Sequence, residues 1–302
     1  GVVAHLPATT DNPGPCIGLR ADIDALPITE ISDLPHKSTN QGTMHACGHD
    51  GHTAILLGAA KVLSSMEHRP NPITFVFQPA EEGGAGAEKL IRDGALDGLP
   101  ITKVFGLHGW PDETLGTIST RPGPLLAATD TFTITVQGTQ AHAAYPHLAN
   151  DPIVAAAQIV TSAQSIVSRS TKPTDSVVLS ITTIHSGTAF NVIPTAAILQ
   201  GTLRTLSDTT RSDTKARLTK LIESTAAALG CSASIEWFPG YPVTQNDPIQ
   251  TEHVFEIARS AGGCDEVKLV EEPTLGGEDF SFYAQKVPSC FFFLGLAKDD
   301  ST

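Results

Sequence analysis

Residues 73–84 read Ile-Thr-Phe-Val-Phe-Gln-Pro-Ala-Glu-Glu-Gly-Gly. The apolar run at 73–77 is too short for a helix and rich in β-branched and aromatic side chains, which predicts a strand. Pro79 and the Gly83-Gly84 pair then close it in a tight loop. Two adjacent carboxylates, Glu81 and Glu82, therefore fall just beyond the carboxyl end of a strand, where open parallel sheets collect their chemistry. A surface Glu-Glu pair would be unremarkable; this position makes it a candidate for metal binding and proton transfer.

Working outward, residues 16–19 and 104–107 read as strands, and 53–63 and 85–92 as helices. Strands and helices in alternation predict an α/β fold with a mostly parallel sheet. Asp22 and Asp24 follow the first strand and His108 follows the third, so three polar clusters are expected on one sheet edge. From about Pro122 the pattern becomes strand (131–136), helix (152–168), strand (177–184), strand (197–203), helix (208–229) and strand (233–237). That β-α-β-β-α-β order predicts a ferredoxin-like α+β domain at 122–242, inserted into a discontinuous catalytic domain at 1–121 and 243–302. The 302 residues suit two domains.

The densest cluster is Met44-His45-Ala46-Cys47-Gly48-His49-Asp50-Gly51-His52. Thiolate and imidazole two residues apart, on one side of an extended backbone, suit zinc or a neighbouring transition metal. Two other readings stand beside it: a polar helix start with an inert cysteine, and a Cys/His nucleophile pair, which would leave the two glutamates without a task. Asp22 and Asp50 are candidates to orient ligand imidazoles. In the inserted domain His142, Asn191 and Arg204 read either as substrate contacts or as exposed loop residues, with Arg204 suited to gripping a carboxylate.

With 32 acidic against 19 basic side chains and a formal charge of −13, the surface would repel a phosphate backbone, so nucleic acid is not an expected partner. No apolar run is long enough to span a bilayer, and no membrane association is expected. Five cysteines, odd in number and without CxxC pairing, predict free thiols and a cytoplasmic location.

Taken together, Leu19-Arg20-Ala21-Asp22-Ile23-Asp24-Ala25-Leu26-Pro27, the His45–His52 cluster, the Glu81-Glu82 loop, Gly106-Leu107-His108, His142-Ala143, Phe190-Asn191-Val192-Ile193-Pro194 and Gly277-Glu278-Asp279-Phe280 resemble the metal-dependent aminoacylase and carboxypeptidase-like amidohydrolases, in the branch of hippurate and auxin-conjugate hydrolases. The resemblance implies a zinc-peptidase-like catalytic domain with a lid and dimerisation domain. It implies two divalent ions, Zn²⁺ or Mn²⁺ with Ni²⁺ and Co²⁺ as further candidates, held by Cys47, His49, Glu82 and His108, with Cys47 bridging. Glu81 would be the general base and acid, His142 would steady the oxyanion, and Asn191 and Arg204 would hold the carboxylate of an N-acyl amino acid in a homodimer. The expected reaction is hydrolysis of that substrate's amide by metal-activated water; a dipeptidase or carboxypeptidase activity, or a catalytically silent interaction module, are the alternatives. The resemblance also expects a further ligating histidine near the C-terminus and a helical segment before the first strand. No histidine follows His253, which is read as a fragment of a longer product, or else as an incomplete second metal position.

Overall fold

The structure, a computed structural model, describes residues 1–298. In chain order its elements are β1 (Val2–Leu6), β2 (Cys16–Asp22), α1 (His49–Ser65), β3 (Ile73–Gln78), α2 (Gly86–Arg92), β4 (Ile101–Thr114), β5 (Thr117–Thr120) and β6 (Gly123–Leu126). There follow β7 (Ala128–Gln137), β8 (Ala141–His142), α3 (Pro152–Ser165), β9 (Val177–Ser186), β10 (Val192–Ile193), β11 (Ala196–Thr205), α4 (Asp208–Ala228) and β12 (Ser232–Pro239). The chain closes with β13 (Thr244–Asn246), α5 (Pro248–Ser260), β14 (Glu266–Leu269), α6 (Ser281–Ala284) and β15 (Ser289–Ala297). It divides into two compact units, one of residues 1–125, 244–274 and 278 onward, the other of residues 126–243 and 275–277.

The first unit is built on a seven-stranded sheet in the order β1-β3-β2-β4-β15-β5-β14. The pairs β2–β3, β2–β4, β4–β15 and β5–β14 are parallel, while β1–β3 and β5–β15 are antiparallel. One face of β2 and β3 is covered by α1, whose Leu56 packs against Ala21, Ile73 and Phe75. The run at 290–294, which reads as a buried strand from sequence, is the middle of β15: it lies between β4 and β5, and Cys290, Phe291 and Phe293 are buried. Phe291 meets the ring of Phe280, and Trp110 stacks on Phe293.

The second unit has a four-stranded antiparallel sheet, β12-β7-β11-β9, with α3 and α4 supplying the remainder of its core. Burial alternates along β7, as expected of a sheet with one covered face. Phe132, Ile134, Ile159, Leu199, Leu203, Leu218 and Ile222 fill the core, each contributing roughly 1.5–3 kcal/mol of burial. Caps fix the helix starts: Asp151 accepts from Ile153 N ahead of Pro152, and Ser207 accepts from Thr210 N. The helix expected over 152–168 is α-helical only to Ser165; a π-helical turn, Ile166–Ser170, completes it. Among the described residues no helix is long and apolar enough to cross a membrane, and the five cysteines are free.

Candidate metal centre

Three elements of the first unit bring the ligand candidates together. Gly48, at φ 81° and ψ 14°, turns the chain into α1, a conformation in which a side chain would be strained. This left-handed turn, not the extended backbone read from the spacing, places Cys47 and His49 on the same group: Cys47, His49 and His108 offer ligand atoms that all lie within 4.8 Å of one another. Cys47 Sγ is 3.4 Å from His108 Nε2. His49, Glu81 and Glu82 form a second such group, so His49 joins the two.

The carboxylate loop is tightly wound. Ala80 and Ala85 both have positive φ, 60° and 49°, which L-residues adopt at a cost of about 1–2 kcal/mol each. A Cβ at Gly86 would lie 1.7 Å from Pro79 O, so only glycine lets α2 start there. Glu82 N donates to Asp24 Oδ2 at 3.0 Å, holding the loop against the end of β2. Glu81 is buried, whereas Glu82 is partly exposed to solvent.

His108 does not follow β4 as the sequence suggests; it lies inside it. Strand β4 continues to Thr114 because β15 pairs with it well past His108. The last β2–β4 pair is Arg20↔Gly106, so His108, two residues on, stands level with Asp22 at the end of β2. His108 Nδ1 donates to Gly109 O at 2.7 Å, leaving Nε2 as the atom offered to a metal.

Of the two aspartates expected to orient ligand imidazoles, Asp50 does not. It is exposed in the first turn of α1, rotated about 100° from His49 by the helix itself. Asp24 stands nearer, its Oδ1 3.4 Å from His49 Nδ1. Asp22 is fully buried and bonds His52 Nδ1 at 2.6 Å through Oδ1, with Oδ2 3.8 Å from His49 Nε2. Asp24 stands two residues beyond Asp22 at the same strand end, and that spacing is the sequence signal for it.

A second group that sequence reading left without a function lies behind the carboxylate loop. Buried Arg20 donates to Gln78 Oε1, Asp22 Oδ2, Glu278 Oε1 and Asp279 Oδ1 at 2.8–2.9 Å. Asp279 also accepts from Gln78 Nε2 and from Ala87 N at the start of α2. Burial opposes ionisation of Asp22, but Arg20 and the His52 hydrogen bond outweigh it and hold this carboxyl well below the usual range. Glu81 is pushed up to about 8, first by burial and then by the charge of Asp279, with Arg20 opposing.

The donors fit a divalent cation. Both ring nitrogens of His49 are buried and have no hydrogen-bond partner, a state that costs about 1–3 kcal/mol per group unless something accepts their lone pair or proton. Burial pushes His108 down to about 4, so its ring is neutral with a lone pair available. Burial and the nearby Glu82 push the Cys47 thiol up to about 12, so a thiolate there needs added positive charge, as a metal supplies.

In the second unit His142 pairs with Val192 in the β8–β10 bridge, and Ala143 N donates to Asn191 O, so His142 and Asn191 are neighbours. Arg204 is not with them. It pairs with Thr129 at the opposite end of the β7–β11 ladder from the Ala196↔Gln137 pair. Eight residues of strand separate Arg204 from Ala196, about 26 Å, and the β8–β10 bridge lies beyond. Asn191 and Arg204 of one chain therefore cannot hold one carboxylate, because they sit at the two ends of the same strand direction.

A family model describing peptidase family M20/M25/M40 matches residues 18–302. The chain is 42% identical to an N-acetyl-L-cysteine deacetylase of Bacillus subtilis strain 168, over 99% of this chain and 70% of that protein. It is 40% identical to the IAA-amino acid hydrolase ILR1-like 4 of Arabidopsis thaliana, over 93% of this chain and 64% of that one. Among solved structures, the Bacillus subtilis YXEP protein, described as a dinuclear metal-binding peptidase of the M20 family, superposes with a TM-score of 0.82 at 37% identity, over 97% of this chain and 75% of that one. With its metal-ligand candidates gathered on one sheet edge and a family match over nearly its whole length, the chain belongs to peptidase family M20/M25/M40.

Proposed function

We propose that this chain is a metal-dependent hydrolase that cleaves the amide bond of N-acyl amino acids. The observation that carries the reading is the convergence of Cys47, His49, Glu82 and His108 around an unpartnered His49, with the proton-avid Glu81 beside them. Similarity to a deacetylase and to an amino-acid-conjugate hydrolase supports the substrate class.

Cys47, His49, Glu82 and His108 would hold two divalent ions, zinc or manganese by their mixed S/N/O donors. When bound, such ions supply Lewis acidity toward the acyl carbonyl and toward water. Glu81 takes a proton from water as its oxygen bonds to the acyl carbon; on cleavage of the C–N bond Glu81 delivers that proton to the departing amine. A carboxyl whose affinity is raised to about 8 can both accept and release a proton near neutral pH.

His142 is the candidate oxyanion donor. Ala144 N donates to His142 Nδ1 at 3.1 Å, so the neutral ring carries its own proton on the outward Nε2. Arg204 is the candidate for the α-carboxylate, as a guanidinium matches a carboxylate with two parallel bonds. The distance between Arg204 and the His142–Asn191 bridge supports a homodimer in which one chain supplies Arg204 and the other supplies His142 and Asn191.

The test joins metal content to turnover. The purified chain should take up as many as two Zn²⁺ or Mn²⁺ per chain by elemental analysis and should release the amino acid from N-acetyl and N-benzoyl substrates. No uptake on dialysis against either ion sinks the reading; hydrolysis of dipeptides in preference to N-acyl amino acids moves it to a peptidase. Mixing Glu81→Gln with His142→Ala chains should return part of the activity if the site is shared, with subunit exchange checked by tagged pull-down.

A further inference from the structure

His52 stands inside the metal-centre cluster without being free to join it. It lies one turn along α1 from His49 and is buried. Its Nδ1 meets Asp22 Oδ1 at 2.6 Å, and its Nε2 accepts from the backbone N–H of Gly109 at 2.8 Å. A backbone N–H can only donate, which assigns the lone pair to Nε2 and the proton to Nδ1. Both ring nitrogens are thus occupied, and the ring cannot ligate an ion without breaking one of these bonds.

The partner of that Nε2 is what gives His52 a task. Gly109 is the residue whose carbonyl accepts from His108 Nδ1, so one residue is gripped on its N–H by His52 and fixes the His108 ring through its C=O. The rings of His52 and His108 are 4.7 Å apart, and those of His49 and His52 are 5.5 Å apart. On its other side His52 is anchored by Asp22, whose second oxygen is held by Arg20. We infer that His52 is a positioning residue: a strut between the first turn of α1, which carries His49 with Cys47 just before it, and the His108–Gly109 segment of β4, setting the spacing of the ligands on these two elements.

This inference rests on the metal reading above. Its test uses the full chain, stripped of metal and titrated with Co²⁺, whose visible absorption reports ligand number and geometry. In His52→Leu both hydrogen bonds are lost, while the apolar cavity of about 150 Å³ beside the ring, lined by Leu19, Ile55, Leu56, Phe105 and Leu107, accommodates the side chain. His52→Gln retains an amide able to accept from Gly109 and to donate to Asp22. The Leu variant should fold, bind Co²⁺ roughly 10–100-fold more weakly and show an altered cobalt spectrum, as losing the partners of a ligand does. The Gln variant should recover a large part of the affinity and the wild-type spectrum. If the wild-type chain takes up Co²⁺ and the Leu variant matches it in affinity and spectrum, His52 is only a packed core side chain and the inference falls. Should the Leu variant fail to fold, the Gln variant decides: a folded Gln variant with a wild-type spectrum supports the strut, and one with a spectrum lacking an imidazole overturns it. A wild-type chain that takes up no Co²⁺ overturns the metal reading and this inference together.

Discussion

Arg20 and His49 lie in the same unit, both buried, both ringed by carboxylates, and their hydrogen bonding is opposite. Arg20 spends its guanidinium on four acceptors, and the carboxylates it meets are themselves tied to Gln78, His52 and the backbone of α2. His49 has two buried nitrogens and no hydrogen bond to either. The difference separates two uses of buried charge. A network that closes on itself holds β2, β3 and the 278–279 segment in register; a group left open in the same surroundings is prepared for something that arrives later.

The comparison can be broken most directly at Arg20. Arg20→Met leaves Asp22, Glu278 and Asp279 buried without their shared cation and should cost about 3–5 kcal/mol, read from urea unfolding of the metal-free chain. A loss under about 1 kcal/mol would show that the hub is not what holds these segments.

Glu81 sharpens the contrast through pH. Its proton affinity in the fold, raised from 4.5 to about 8, exceeds that of the unfolded chain, so the fold favours the protonated form. The metal-free protein should therefore lose stability as pH rises through that window, and Glu81→Gln should not. Unfolding curves of both at pH 4, 6 and 9 should diverge steadily with rising pH, the variant being the more stable at pH 9; parallel curves refute it.

His49→Leu is the counterpart of the Arg20 change, with a smaller expected effect. Removing its unpartnered buried nitrogens should stabilise the metal-free chain by about 1–3 kcal/mol, while abolishing the rise in Tm that Zn²⁺ gives the wild type. A large destabilisation without metal would mean that His49 belongs to the closed network after all. The smallest effect is expected at Ala80. Ala80→Gly relieves a left-handed alanine but loosens the unfolded chain, for a net gain of about half a kcal/mol by thermal melting.

Much of the first unit was legible in the sequence because its signals are local. An apolar run followed by Glu81-Glu82, or Cys47 and His49 astride a glycine, can be read within a dozen residues. Asp50 is next to His49 in sequence but not on the helix, and Asp24, just past the end of β2, stands nearer His49 instead. Arg20 with Glu278 and Asp279 escaped assignment because their contact spans most of the chain and obeys no period. Asn191 and Arg204 were paired by chemistry alone, and only strand register shows them at opposite ends of a ladder.

The position of β15 carries a consequence for how the polypeptide acquires its shape. An interior strand of the large sheet, it is also the one synthesised last among the described elements, after every strand and helix of the second unit has been made. Until it arrives, β4 offers an open edge flanked by Phe105 and Leu107, while the second unit, whose strands all come from residues already made, can fold at once. Closing the large sheet is thus a late, long-range event, the step at which a nascent chain depends most on being kept from its neighbours.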